Sequence, residues 1–186
     1  SSAASDVYKR QLSENIIFGE STTSSTAYGG ALYATSSTLS LDQVSATDNT
    51  SWGRATSAGG AIALDSNTTA TLTNLILAAN TAASRWGAAG GGGLYAETGR
   101  GSLTLTNADL VANTVSAYTT ALGGGLSATT EGTVVLNNVG LVENTVSASS
   151  TSGSAVFLYE GPGTVSITYS NTYENSGADE EFAGID

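Results

Sequence analysis

Apolar residues recur along this chain in a fixed order, in five copies of one unit about 31 residues long. Each copy opens on small residues followed by an apolar pair, and the five opening apolar positions lie 30, 32, 32 and 30 residues apart. Self-similarity at this fixed period indicates a stack of units, each burying a face on its neighbours. The openings are Gly29-Gly30-Ala31-Leu32, Gly59-Gly60-Ala61-Ile62, Gly91-Gly92-Gly93-Leu94, Gly123-Gly124-Gly125-Leu126 and Gly153-Ser154-Ala155-Val156.

Three apolar patches follow one another within each copy. The first two alternate apolar and polar residues, as in Leu94 and Ala96 and then Leu103 and Leu105, and a period of two is typical of a strand with one buried face. The third patch centres on a leucine three residues before a closing asparagine. The remaining stretches are rich in turn-forming residues and are predicted to be corner loops; they are residues 51–58, 82–90, 115–122 and 146–152.

Three short strands per coil and about five coils of ~31 residues predict an all-β fold, a parallel β-helix or solenoid, over residues 12–176. At a strand spacing of about 4.8 Å, five coils make a rod of roughly 24 Å along the axis. The glycine doublets lie at the entry to the first strand, where a missing side chain permits a sharp corner or close stacking.

Each copy also closes on an asparagine that is followed by Thr or Ser. Buried amides need hydrogen-bond partners, and a stack of amides satisfies itself from rung to rung while bonding the turn backbone. We therefore predict structural ladders, with a ligand role as the alternative. The first ladder is Asn49, Asn80, Asn113, Asn144 and Asn175, and the second is Asn74, Asn107 and Asn138.

The two ends of the chain differ from the repeat. Asp6-Val7-Tyr8-Lys9-Arg10-Gln11 is identical to one translated frame of a common sequencing-library adapter, so residues 1–11 are expected to be non-native. Leu12-Ser13-Glu14-Asn15 resembles the repeat ending Leu141-Val142-Glu143-Asn144, and we interpret it as the tail of a truncated earlier coil. Residues 177–186 are expected to form an acidic tail or the start of a truncated further coil.

Composition excludes several classes of function but says little more about the fold. The chain has no Cys and no His, which excludes disulfides, zinc–thiolate sites, cysteine nucleophiles and histidine-based triads. Its net charge of −11 disfavours binding to nucleic acid or anionic lipid, and no apolar run approaches the length of a membrane span. The glycine-rich nonapeptide of calcium β-rolls is absent, so we expect no metal and no cofactor.

One stretch of the repeat carries a family resemblance. The string Gly59-Gly60-Ala61-Ile62-Ala63-Leu64, closed by Leu77-Ala78-Ala79-Asn80, resembles the GGAI and FxxN repeat pair of chlamydial polymorphic outer-membrane proteins. More generally, it is similar to the parallel β-helix of bacterial autotransporter passengers, although Leu stands where that family usually has Phe. The resemblance implies a right-handed coil, in line with the usual hand of parallel crossovers. It also implies an extracellular or bacterial cell-surface location and often adhesion.

Outward positions of the first strand form two columns that contain the candidate site. One column includes Tyr33 and Tyr95, and the other includes Asp65, Glu97 and Tyr159. Asp65 and Glu97 are expected on adjacent rungs, with backbones about 5 Å apart. Two carboxylates at that spacing suit glycoside hydrolysis, and flanking tyrosines suit stacking on sugar rings. No Lys or Arg lies in these strands, so glycan binding without catalysis and an ordinary solvated face are the alternatives.

The outward face of the second strand is rich in hydroxyl side chains, as in Thr69-x-Thr71-x-Thr73 and Ser102-x-Thr104-x-Thr106. A flat Thr-x-Thr array on a solenoid can order water and bind ice, although the β-propensity of threonine also explains it. Asp42, Val135 and Asn137 interrupt the array.

These patterns together predict a structural or adhesive β-helix module, secreted or on the cell surface, whose partners are glycans or other surface molecules. The alternative is a carbohydrate-active enzyme of the glycoside hydrolase or polysaccharide lyase type, with Asp65 and Glu97 as its catalytic residues. Ice binding is the second alternative. β-Helices carry many activities, so the fold alone does not choose among the three.

Overall fold

In a computed structural model, the chain winds into a β-solenoid with the predicted period. The structure describes residues 10–19, 25–129, 131–159 and 161–183, so residues 1–9 of the predicted non-native segment lie outside it. Within these ranges the chain forms 23 strands in four parallel sheets and no helix, and hence no helix there is fit to cross a membrane. The all-β parallel solenoid of about five turns is confirmed, and its right-handed sense stays a prediction.

Four sheets, named A to D, form the walls, and each turn of the chain passes through D, A, B and C in that order. Sheet D contains Leu32–Thr35, Ile62–Asp65, Leu94–Glu97, Leu126–Thr129, Val156–Tyr159 and Phe182–Ala183. Sheet A contains Arg10–Ser13, Thr38–Thr47, Thr69–Ala78, Ser102–Val111, Thr133–Val142, Thr164–Thr168 and Asn171–Tyr173. Sheet B contains Ile16–Gly19, Thr50–Gly53, Thr81–Ser84, Thr114–Ala117 and Thr145–Ser147. Sheet C contains Thr26–Tyr28, Thr56–Ala58, Ala88–Gly90, Thr120–Leu122 and Ser150–Ser152.

A full turn therefore has four strands, where the sequence predicted three. The second and third apolar patches join into one ten-residue strand of sheet A, which bends at a residue with positive φ, such as Asn74 (53°) or Asn107 (51°). Parallel pairing continues on both sides of the bend, so the apolar residues of both patches face inward.

The prediction of corner loops is wrong for the stretches after the closing asparagines, because they contain sheets B and C. The inward residues of sheets B and C are mostly small or polar, so these strands show little alternation of apolar and polar residues in the sequence. Ser51 and Ser57, for example, are both buried, and one hydrogen bond joins their hydroxyl oxygens, which lie 2.7 Å apart.

The interior is divided into two apolar cores. The larger core lies between sheets A and D and is built mainly from leucines, including Leu72 and Leu105. The smaller core lies between sheets B and C and contains alanines and valines such as Ala82 and Val115. The division explains why only the A and D strands have strong apolar alternation in the sequence.

The glycine doublets allow two corners of each turn to approach closely at the boundary between these two cores. A Cβ on Gly92 would lie 2.8 Å from the backbone nitrogen of Thr114 and would also strike the carbonyl of Gly124 on the next rung. The C-to-D corner thus meets the A-to-B corner backbone to backbone, with no room for a side chain. The next position is less restricted, since Ala61 occupies it in one turn and Gly93 in the following one.

The first asparagine ladder lies buried at the A-to-B corner. The Nδ2 of Asn113 donates to the Oδ1 of Asn144 at 3.0 Å and to the carbonyl of Leu77 at 2.8 Å. Its Oδ1 accepts from the backbone N–H of Asn80 at 3.1 Å and from the Nδ2 of Asn80 at 3.0 Å. The predicted stacking is confirmed. Amide-to-amide bonds connect Asn15, Asn49, Asn80, Asn113, Asn144 and Asn175.

The second ladder is present as predicted, but it is exposed to solvent. Asn107 donates to Asn74 at 3.3 Å, and Asn138 donates to Asn107 at 2.9 Å. All three residues have φ between 51° and 55°, a conformation that asparagine adopts more readily than most residues. Asp42 extends this ladder by accepting a hydrogen bond from Asn74 at 2.8 Å.

Candidate functional site

The two predicted carboxylates lie on adjacent strands of sheet D. Asp65 pairs in register with Glu97, so their backbones are about 4.8 Å apart. Each residue ends its strand where the chain turns toward sheet A, and Glu97 is exposed while Asp65 is partly exposed. The alternation of the strand therefore brings both carboxylates to one edge of the outer surface.

Tyrosine hydroxyls bond both carboxylates. The O–H of Tyr33 donates to Oδ2 of Asp65 at 2.9 Å, and the O–H of Tyr95 donates to Oε2 of Glu97 at 2.7 Å. The ring of Tyr28 stacks on that of Tyr33, with centroids 5.0 Å apart. Sequence analysis missed Tyr28 because it lies in sheet C, in a stretch without an alternating apolar pattern.

The same neighbours raise the pKa values of these tyrosines. Burial, the hydrogen bond to Glu97 and the charge of Glu97 raise the pKa of Tyr95 well above its ordinary value of 10.0. Burial and then Asp65 raise the pKa of Tyr33, while burial and then the charges of Asp65 and Glu97 raise the pKa of Tyr28. All three phenols are therefore protonated at neutral pH and are able to donate hydrogen bonds.

A cleft of about 460 Å³ opens beside the carboxylates at the D-to-A corner. The turns that leave sheet D on four successive rungs form its walls. Glu131 adds a third carboxylate that the sequence analysis missed, because it lies in a turn where the alternation of the strand has ended. The cleft is lined by Asp65, Ser66, Asn67, Glu97, Gly99, Thr129, Glu131, Tyr159, Gly161 and Pro162.

The five predicted ligand residues are divided between the cleft and its border. Asp65, Glu97 and Tyr159 line the cleft. Tyr33 and Tyr95 do not line it and are connected to it through their hydrogen bonds to the carboxylates. The predicted column of Tyr33 and Tyr95 is in register with Ala63 and Ser127 of the neighbouring strands, and both of these smaller residues are buried.

The cleft offers hydrogen-bond acceptors and one unused hydroxyl. Thr129 Oγ1 is buried without a hydrogen-bond partner among the described residues. No Lys or Arg is among the described residues that line the cleft. In the same part of the chain, no three His, Cys, Asp or Glu side chains are grouped closely enough to bind a metal ion. The arrangement therefore suits a ligand that carries many hydroxyl donors and no negative charge.

The outward face of sheet A carries the predicted hydroxyl array. Thr71 pairs in register with Ser40 and Thr104, and Thr73 pairs with Thr106. The hydroxyls therefore form straight columns with a repeat of about 4.8 Å along the axis. Val135 and Asn137 interrupt the columns at the next rung, as the sequence indicates.

Comparison of the chain with protein-family models, with curated proteins and with solved structures finds no match. The resemblance of the repeat to polymorphic outer-membrane proteins therefore stays a prediction.

Proposed function

We propose that this protein is a secreted or cell-surface β-helix module that binds glycans in the cleft at the D-to-A corner without cleaving them. The observation that carries the proposal is the alignment of Asp65, Glu97 and Glu131 along one cleft. Carboxylate oxygens accept hydrogen bonds from sugar hydroxyls. Tyr159, which is 64% exposed, adds an aromatic face that suits stacking on a sugar ring.

The charge of the cleft selects the class of glycan. Three carboxylates from successive rungs make the local potential negative, and acidic sugars are repelled. The expected ligand is therefore a neutral or amino-sugar chain that lies along the solenoid axis. Residues from four successive rungs line the cleft, and the rungs are spaced by about 4.8 Å, which favours an extended polymer over a single sugar.

A glycan array followed by calorimetric titration of the best neutral or amino-sugar ligand tests this proposal. We expect Asp65→Asn and Tyr159→Ala each to weaken binding about tenfold, because each loses one well-placed contact. The control is Tyr169→Ala, which removes a tyrosine that is 89% exposed and lies in the bend of sheet A. Absence of any bound glycan, or equal binding by all variants, would reject the proposal.

Catalysis is the alternative use of the same residues, and the register of Asp65 with Glu97 favours it. Retaining glycosidases place two carboxyl groups about 5–5.5 Å apart. Both side chains here are at least partly exposed, whereas the general acid of a glycosidase is commonly kept protonated in an apolar pocket. Turnover of a polysaccharide that is abolished by Asp65→Asn would replace the binding proposal with this one.

Ice binding is a second alternative, favoured by the straight hydroxyl columns on sheet A. It predicts thermal hysteresis in solutions of the purified protein, and loss of that hysteresis in Thr71→Tyr or Thr104→Tyr. Asp65→Asn is the matched control, because it changes the cleft and leaves the array intact. No hysteresis at high protein concentration would end this alternative.

A further inference from the structure

A second group of side chains lies on sheet B and at the B-to-C corner that follows it, away from the cleft. The rings of Trp86 and Tyr118 lie 5.8 Å apart between centroids, and those of Phe18 and Trp52 lie 5.9 Å apart. Phe18 is 61% exposed, Trp86 is 51% exposed and Tyr118 is 60% exposed. We call this surface, with Arg85, the aromatic corner: Phe18, Trp52, Arg85, Trp86 and Tyr118.

These rings contribute little to either core. Neither core includes Trp52, Trp86 or Tyr118. The chain has only two tryptophans, and both belong to this surface. Large aromatic side chains at the surface of an otherwise Ser-, Thr- and Gly-rich solenoid are typical of a binding surface.

The five residues of the aromatic corner include one cation and no carboxylate. The guanidinium carbon of Arg85 lies 5.2 Å from the centre of the Trp86 ring. Residues 51–58, 82–90, 115–122 and 146–152, which form part of this side of the solenoid, contain Arg54 and Arg85 and no Asp or Glu. Arg85 therefore places a positive charge directly beside the Trp86 ring. The other charges are screened over about 8 Å at physiological salt.

Arg85 is the cation that lies beside the aromatic rings. It lies one rung beyond Arg54 and contacts Trp86, whose ring in turn contacts Tyr118.

We infer that the aromatic corner binds an acidic polysaccharide whose sugars carry carboxylate groups. The planar guanidinium of Arg85 matches the two oxygens of a carboxylate, and the aromatic faces match the flat faces of pyranose rings. Trp86 and Tyr118 come from adjacent rungs and their ring centroids lie 5.8 Å apart, so they suit contact with neighbouring sugars of one chain. This site is independent of the cleft, which suits neutral or amino sugars.

The two tryptophans make the test direct, because intrinsic tryptophan fluorescence reports only on this surface. Titration with polygalacturonate is expected to produce a saturable change in emission, together with co-sedimentation of the protein on insoluble polymer. Arg85→Gln is expected to weaken binding about tenfold or more, and Trp86→Ala more strongly. The matched control is Arg100→Gln, which removes the same charge from the D-to-A turn and is expected to leave binding unchanged.

Three results would overturn the inference. The first is no binding of polygalacturonate to the native chain, and the second is equal binding of the fully methyl-esterified polymer, which lacks free carboxylates. The third is equal binding of single-stranded DNA, which would show non-specific attraction of polyanions to arginine and aromatic rings. Asp65→Asn separates this inference from the proposed function, since it alters the cleft and is expected to leave polygalacturonate binding unchanged.

Discussion

Removal of one amide from the middle of the buried ladder should destabilise the solenoid strongly. Asn113 is fully buried and makes four side-chain hydrogen bonds. Asn113→Ala leaves the backbone N–H of Asn80 without its acceptor and removes the amide donor to the carbonyl of Leu77. Each of these two buried groups costs about 1–3 kcal/mol when it loses its partner, so the free energy of unfolding should fall by about 2–6 kcal/mol.

Denaturant unfolding followed by tryptophan fluorescence and far-UV circular dichroism measures this loss. The control is Asn107→Gly on the exposed ladder, where water replaces the lost partners and glycine accepts the φ of 51°. It should cost less than about 1 kcal/mol. The reasoning is refuted if the exposed substitution costs as much as the buried one.

A second substitution at Asn113 separates the polar loss from the cavity. Asn113→Asp preserves the size of the side chain, but it removes the amide donor and introduces a charge into a buried site. It should cost at least as much as Asn113→Ala at pH 7, because an unpaired buried charge is expensive. A much smaller loss for Asn113→Asp would assign the effect to the cavity and not to the hydrogen bonds.

Three further predictions concern the glycine doublet, the backbone conformation at the A-to-B corner and the pKa of Tyr95. Gly92→Ala should prevent folding or cost several kcal/mol, whereas Gly93→Ala should be tolerated because other turns have alanine there; thermal unfolding compares the two. Ala112→Gly should stabilise by up to about 1 kcal/mol in the same assay, because Ala112 has a φ of 53°. The raised pKa of Tyr95 means that its contribution to stability is fully present below pH 10 and is lost as pH rises toward its folded pKa. The unfolding free energy should therefore fall above pH 10 for the native chain, and less steeply for Tyr95→Phe.

The period and both ladders could be predicted from the sequence because every rung repeats the same environment. Residues equivalent to Leu105 and Asn113 recur on the neighbouring turns. Positions that are aligned between the sequence copies therefore lie above one another in the structure. The same logic predicts from the sequence that Asp65 lies beside Glu97, as it does in the structure.

Sheets B and C were not predictable in this way, for a physical reason. The narrow space between them admits only small side chains, and one inward column reads Ser51, Ala82, Val115 and Val146. A column that mixes polar and apolar residues has no alternation that a sequence pattern can detect. The missed contributors to the site, Tyr28 and Glu131, lie in such a strand and in a turn.

The first asparagine ladder also shows how far apart in sequence the contacting residues of this fold are. Its hydrogen bonds join residues 31 to 37 positions apart, and this separation stays in the same narrow range from one rung to the next. Each added coil therefore closes a loop of the same size, and the entropy of closure does not grow with chain length. Relative contact order falls as coils are added. Solenoids built from more copies of this unit should therefore fold at rates set by the first two coils to pair, with later coils joining at a constant entropic cost.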